Sequence, residues 1–196
     1  MNTINDGTIV APDGSRNDWR IESYVVSQAE SDWTKVRAVV KHRDEYVPAG
    51  TYRRLVRGTT IVMSNTPMEI RTHDAFVRRA TGKVLINGLG LGMALTAILK
   101  KPEVESVRVI ELTREVIDLV APSYRDDPRV RIIQANAFDY KPERGVRFNA
   151  IWHDIWDTIC ADNLPEMHRL HRKYARRTDW QGSWCRYECE QLRAWR

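Results

Sequence analysis

Val84-Leu85-Ile86-Asn87-Gly88-Leu89-Gly90-Leu91-Gly92 is the stretch on which the reading of the chain turns. Apolar β-formers lead into a turn with glycine at alternate positions, and Met93 to Leu99 continues as an apolar helix. Glycine permits a tight turn and a close approach of backbone to ligand, while a helix start presents free N–H groups. Working outward, Lys83–Ile86, Val107–Ile110, Val130–Ile133 and Phe148–His153 read as short apolar strands, and Glu115–Val120 as a helix between two of them. Strands alternating with helices are βαβ units, which imply a parallel sheet with helices on both faces.

Glu111 closes the strand after the turn, about 20 residues on, where an acid can accept both hydroxyls of a ribose. A helix cap or a surface carboxylate is the plainer alternative for Glu111. A dinucleotide fingerprint would need glycine or alanine where this chain has Met93, and no lysine follows the turn as a P-loop would require.

Around this centre, residues 1–18 are polar and read as a frayed, flexible terminus. Residues 19–66 read as a small β/α extension: a strand over Arg20–Ser27, a helix over Glu30–His42, and a hairpin of Tyr52–Val56 and Thr60–Ser64 about Arg57-Gly58. The cofactor-binding domain would occupy 67–196, opening with a helix over Met68–Arg79 after Asn65-Thr66-Pro67. From Asn163 on, helices are expected, broken at Trp180-Gln181-Gly182-Ser183-Trp184. The 196 residues, 42% hydrophobic and 29% charged, are globular in composition, without a signal peptide or an apolar run of membrane-spanning length, so a cytoplasmic protein without a membrane partner is expected. Cys160, Cys185 and Cys189 form no CxxC pair, which speaks against a disulfide framework and a bound metal. The net charge of +5 is concentrated between His168 and Arg177, a run that reads as a solvated helix face or, alternatively, as a contact for phosphates.

The run Val84–Gly92, then Val107–Glu111, then Ile133-Gln134-Ala135-Asn136-Ala137-Phe138, then Phe148–Asp154 resembles the successive motifs of class I S-adenosylmethionine-dependent methyltransferases, and within them the spermidine synthase-like branch. Guanidinoacetate methyltransferases are a looser likeness, and the similarity spans residues 50 to 160. The resemblance implies a Rossmann-like domain with Gly88, Leu89, Gly90 and Gly92 under the cofactor's methionine and ribose. It further implies Glu111 on the ribose, Asn136 and Ala137 at the adenine edge, and Asp154 facing the transferred group. Ile86 stands where methyltransferases often carry an acid, as it does in many spermidine synthases. Asn136 replaces a frequent aspartate and Thr113 another. The usual last strands are missing from this reading, their place taken by a helical C-terminal segment.

Asp154 and Asp157 form a D-x-x-D pair past a strand end, a pattern that in aminopropyltransferases binds and deprotonates the attacking amine. Such carboxylates can orient a nucleophile and accept its proton, although Asp157 could equally cap the following helix. Glu69 and His73 lie one helical turn apart, on a segment that the resemblance places over the methionine end of the cofactor. His153 reads as a packed residue. Trp152, Trp156, Trp180 and Trp184 could wall a cation pocket or fill the core.

The sequence therefore predicts an S-adenosylmethionine-dependent methyltransferase acting on a nitrogen or other nucleophile of a small molecule. The alternatives are an aminopropyltransferase using decarboxylated S-adenosylmethionine, and a cofactor-binding protein without transfer activity. Asp154, Asp157 and Glu69 are the catalytic candidates. A nucleic-acid acceptor stays open through the basic run, and a homodimer is a possible assembly.

Overall fold

In a computed structural model, which describes residues 5–41 and 46–194, the chain forms two sheets. The larger has five parallel strands, β5 (Gly82–Asn87), β6 (Val104–Glu111), β7 (Val130–Gln134), β8 (Phe148–His153) and β9 (Thr178–Ser183), in the order β7-β6-β5-β8-β9. Its strands alternate between two cores, as a period of two requires. Val84, Ile86, Val107, Val109, Ala150 and Trp152 face one core, while Leu85, Ile110 and Ile151 face the other.

The first core is covered by α3 (Asp74–Arg79), α4 (Met93–Leu99) and α5 (Arg114–Val120), which supply Phe76, Val77, Leu95, Ile98, Val116 and Val120. The second is covered by α6 (Leu164–Tyr174), whose Leu170 and Tyr174 point inward. Leu164, Met167, Leu170 and Tyr174 recur at helical spacing on the buried face of α6, and this leaves much of the basic run on its outer side. The helix α7 (Arg186–Ala194) follows β9.

The smaller sheet is antiparallel, β1 (Gly14–Arg16), β2 (Trp19–Val26), β3 (Gly50–Arg57) and β4 (Thr60–Ser64) in sequence order, with α1 (Gln28–Lys41) between β2 and β3. The helix expected to reach His42 ends its described part at Lys41, and His42 lies outside the described residues.

Three expectations change. Residues 5–18 are packed rather than frayed: Ala11 is fully buried, β1 pairs with β2, and Asn5 Nδ2 donates to Ile70 O and Asp74 Oδ1 at 2.6 and 2.8 Å. The break expected at 180–184 belongs to a strand, β9, so the C-terminal segment is not wholly helical. Its polar Thr-Asp-Trp-Gln-Gly-Ser run lacks an apolar alternation because it lies on the sheet edge. The helix expected over Met68–Arg79 is two, α2 (Pro67–Thr72) and α3, meeting at His73. The His73 ring and the Thr72 hydroxyl occupy the Glu69 carbonyl that a continuous helix would offer to the His73 amide, which instead bonds Ile70 O at 3.2 Å.

No helix among the described residues is long and apolar enough to cross a membrane.

Candidate functional site

Strands β5 and β8 are neighbours, yet the chain leaves them toward opposite edges of the sheet. Parallel sheets open a crevice at the carboxyl ends of such a pair. Gly88 follows β5 and Asp154 follows β8, and Asp154 N donates to Asn87 O at 2.7 Å. At Gly88 φ is +100°, and a Cβ would stand 1.8 Å from the Asp154 carbonyl oxygen. Glycine is required there by the protein's own packing. At Gly90, with φ of +50°, a Cβ would meet Met63 Sδ at 2.3 Å, and Leu91 N donates to that sulfur at 3.1 Å. Met63 of β4 is thereby seated on the turn.

A cavity of about 590 Å³ opens over this crevice, within the size range of small-molecule sites. Of the residues expected at a site, Gly88, Gly90, Glu111, Asn136, Ala137, Asp154, Asp157 and Glu69 line it. Leu89 and Gly92 do not. Leu89 is buried with its amide turned to Glu111, and a Cβ on Gly92 would strike the Tyr124 hydroxyl at 2.2 Å. The small sheet adds Trp19, Leu55, Arg57 and Met63 to the wall, none of which the sequence had singled out.

At one end of the cavity Glu111, only 9% exposed, accepts Leu89 N on Oε2 and Thr113 N on Oε1, both at 2.8 Å. A carboxylate offers roughly four acceptor positions, so about two remain for a ligand. Leu112, Val116, Ala135, Ala137 and Phe138 make the adjoining wall apolar. Asn136 Oδ1 accepts Phe138 N at 2.8 Å and so shapes its own turn, with one lone pair left over. The basic run braces this wall from behind: Arg169 stacks over Phe138 at 4.8 Å, and Lys173 Nζ donates to the carbonyls of Ala137 and Phe138.

At the other end lie Glu69, His73 and Asp154. Glu69 Oε2 accepts Ser64 N at 2.7 Å. Burial, reinforced by the nearby Asp154 charge and opposed by the Ser64 amide and His73, pushes the Glu69 carboxyl up to about 7. The sequence had noted His73 as the neighbour of Glu69 without seeing its other partner. Its ring is 1% exposed, with Nε2 2.9 Å from Asp154 Oδ2 and Nδ1 2.9 Å from Glu69 O. Burial alone would lower the imidazole's pKa, but the hydrogen bond and charge of Asp154, with Glu69, outweigh it and hold the ring above its ordinary value. The E-x-x-x-H spacing was the available signal; its link to Asp154 is tertiary.

Asp157 does not cap a helix. The turn at Ala161–Asn163 takes Cys160 Sγ as its cap, while Asp157 lies 3.6 Å from Arg57, which stacks over Trp19. The tryptophans divide between the two expected roles. Trp156 and Trp184 line the cavity, whereas Trp152 and Trp180 stack with Phe76 in the core, centroids 5.4 to 6.5 Å apart. His153 is fully buried, accepts from Asn87 Nδ2 at 2.8 Å, and is pushed down to about 3 by burial, as befits a packed neutral ring.

No protein-family model and no curated protein matches the chain. Among solved structures, spermidine synthase from Thermotoga maritima overlaps 83% of this chain and 52% of its own at 20% identity and a TM-score of 0.45. The CcbJ methyltransferase of Streptomyces caelestis overlaps 55% and 44% at 18% identity and 0.43. A putative methyltransferase from Pseudomonas syringae overlaps 66% and 85% at 14% identity and 0.47. The chain spans about half the length of the first two. With overlaps of this extent, the reading of the site rests on its own geometry.

Proposed function

We propose that the cavity binds S-adenosylmethionine and that the protein transfers its methyl group to a nitrogen or other nucleophile of a small molecule. The observation that carries this reading is Glu111: a strand-end carboxylate fixed by two backbone amides, with acceptor positions to spare, beside a glycine turn and an apolar wall. Those free acceptor positions suit a ribose diol and the apolar wall an adenine ring, so the residues present fit the cofactor. When bound, it supplies a carbon already activated on a sulfonium, which leaves the protein to align an in-line attack. Glu111 holds the ribose, Ala137 and Asn136 flank the base, and Gly88 with Gly90 bring the backbone close. Asp154 and Glu69 face the acceptor and receive or steady its proton, while Trp156 and Trp184 enclose it and exclude water.

A second reading, aminopropyl transfer from decarboxylated S-adenosylmethionine, is favoured by the charge of the wall. Among the described residues the lining has five carboxylates, Glu69, Glu111, Asp154, Asp157 and Glu166, and one guanidinium, Arg57. A cofactor tail without its own carboxylate is better matched to that surplus.

Thermal melting with S-adenosylmethionine, its demethylated product, decarboxylated S-adenosylmethionine, methylthioadenosine and NAD tests both readings. A ligand at 100 times its Kd stabilises by about 2.7 kcal/mol, a shift of several degrees in a protein of this size. Preference for the first pair supports methyl transfer, and preference for the decarboxylated cofactor with methylthioadenosine supports aminopropyl transfer. No shift with any adenosyl sulfonium would refute both.

A further inference from the structure

We infer that the two carboxylates at the reacting end divide the work, Glu69 taking the acceptor's proton while Asp154, clamped by His73, orients and steadies the nucleophile without taking it. The inference rests on the proposed transferase reading and reverses the expectation, drawn from the D-x-x-D pattern, that Asp154 is the base.

The hydrogen-bond partners of His73 carry the argument. Nε2 meets a carboxylate oxygen of Asp154 and Nδ1 meets the carbonyl oxygen of Glu69, both at 2.9 Å. Neither partner has a proton to give when Asp154 is ionised, so both ring nitrogens donate and the ring is an imidazolium. The Thr72 hydroxyl, 3.3 Å from Nδ1, directs its own proton to Glu69 O at 2.6 Å and receives Trp184 Nε1 at 3.2 Å. His73 is therefore a buried cation pinned from both sides. Its charge is matched to Asp154, which reaches the cavity with 19% of its side chain exposed. One oxygen of Asp154 is taken up by the His73 ring, which fixes the direction in which the carboxylate faces the cavity.

Glu69 is placed differently. One oxygen takes the Ser64 amide, and the other is left on a group that lines the same cavity. The titratable and charged groups around it are His73 at the end of its own helix, Asp154 after β8, Tyr24 on β2 and Cys185 after β9. Burial and the Asp154 charge are the influences that raise its affinity for a proton. A carboxyl whose surroundings raise its proton affinity toward neutral pH is suited to take up a proton there.

The step balances simply. As the nitrogen lone pair forms its bond to the transferred carbon, the C–S electron pair returns to sulfur, and the N–H proton passes to the Glu69 carboxylate. His73 is a positioning residue that acts only through Asp154.

The test needs no acceptor. Carbon-13 signals of the glutamate and aspartate carboxyls and nitrogen-15 signals of the histidine rings are followed with pH in the full ligand-free chain, and are assigned with Glu69→Gln, Asp154→Asn and His73→Gln. The Glu69 carboxyl is expected to titrate near 7, with His73 protonated on both nitrogens at that pH. Asp154→Asn should move both the Glu69 and the His73 midpoints to lower pH, a coupling that a merely structural contact would not produce. A Glu69 midpoint in the ordinary carboxylate range near 4.3, or a neutral His73 ring in the folded protein, overturns the inference. Calorimetric titration with S-adenosylmethionine separates the two levels. Binding with an ordinary Glu69 sinks this inference alone, and absence of binding to it and to decarboxylated S-adenosylmethionine sinks the transferase reading whatever Glu69 does. With an acceptor that turns over, Glu69→Gln should lose about 100- to 10,000-fold in kcat, whereas Asp154→Asn should raise the acceptor KM more than it lowers kcat.

Discussion

Glu111 and Glu69 are the same residue at two ends of one cavity, and their backbone partners make them different reagents. Glu111 has an amide on each oxygen, from Leu89 and Thr113, and both amides belong to the loops that frame the crevice. Glu69 has one amide, from Ser64, and a half-buried position beside the Asp154 charge that burdens its own. Two amides make a fixed acceptor suited to holding hydroxyls; one amide with burial makes a group that exchanges a proton near neutrality. Under the proposed function, the count of N–H groups on each carboxylate is what would separate the one that binds from the one that takes a proton.

The largest disturbance of that contrast comes from His73, the cation at the reacting end. His73→Gln leaves Asp154 without its buried counter-charge and should cost about 3 kcal/mol of stability, read as a lower urea midpoint at unchanged slope. Next is Glu111→Gln, which keeps the shape but removes charge-assisted bonds worth about 1.5 to 3 kcal/mol. Calorimetry should show cofactor affinity falling about 10- to 150-fold at unchanged fold. A smaller effect lies in the dependence of stability on pH. The Glu69 carboxyl is raised in the folded protein from 4.5 to about 7, so its stabilising contribution is full below 4.5 and is lost as pH rises toward 7. Melting temperatures of Glu69→Gln relative to the parent should therefore improve between pH 4.5 and 7.5. Smallest is Arg57→Ala. The 3.6 Å pair with Asp157 is half exposed, and its loss should change stability by less than about 0.5 kcal/mol.

The sheet was legible because its strands are buried on both faces and write themselves as apolar runs, as Val84–Ile86 and Ala150–Trp152 do. The edge strand β9 was not, since a polar strand with Gly182 in it carries no period. Gly182 is itself explained only by the fold, where a Cβ would lie 2.7 Å from Trp180 and 2.9 Å from Trp152. The Glu111 end of the cavity, proposed for the cofactor, was readable because Gly88, Gly90, Glu111, Asn136 and Ala137 lie in motifs of fixed local spacing. The reacting end was readable only in pieces. Glu69, Asp154 and Asp157 could be named, yet the bond from His73 to Asp154 joins residues 81 positions apart, and local spacing does not announce it. Residues 5–18 were misread because polar composition was taken for freedom, when Asn5 and Asp13 spend their polar atoms on Ile70, Asp74, Ser23 and Arg53.

The contact between Gly88 and the Asp154 carbonyl bears on how such chains should be compared across evolution. A side chain at position 88 is excluded by the loop after β8 whether or not any ligand is present. A descendant that bound nothing in the crevice would still be compelled to keep that glycine to fold. Persistence of Gly88 in a lineage therefore records inheritance of the scaffold, and the more informative marker of a working site is retention of Glu69, whose raised carboxyl the scaffold alone gains nothing by keeping near neutral pH.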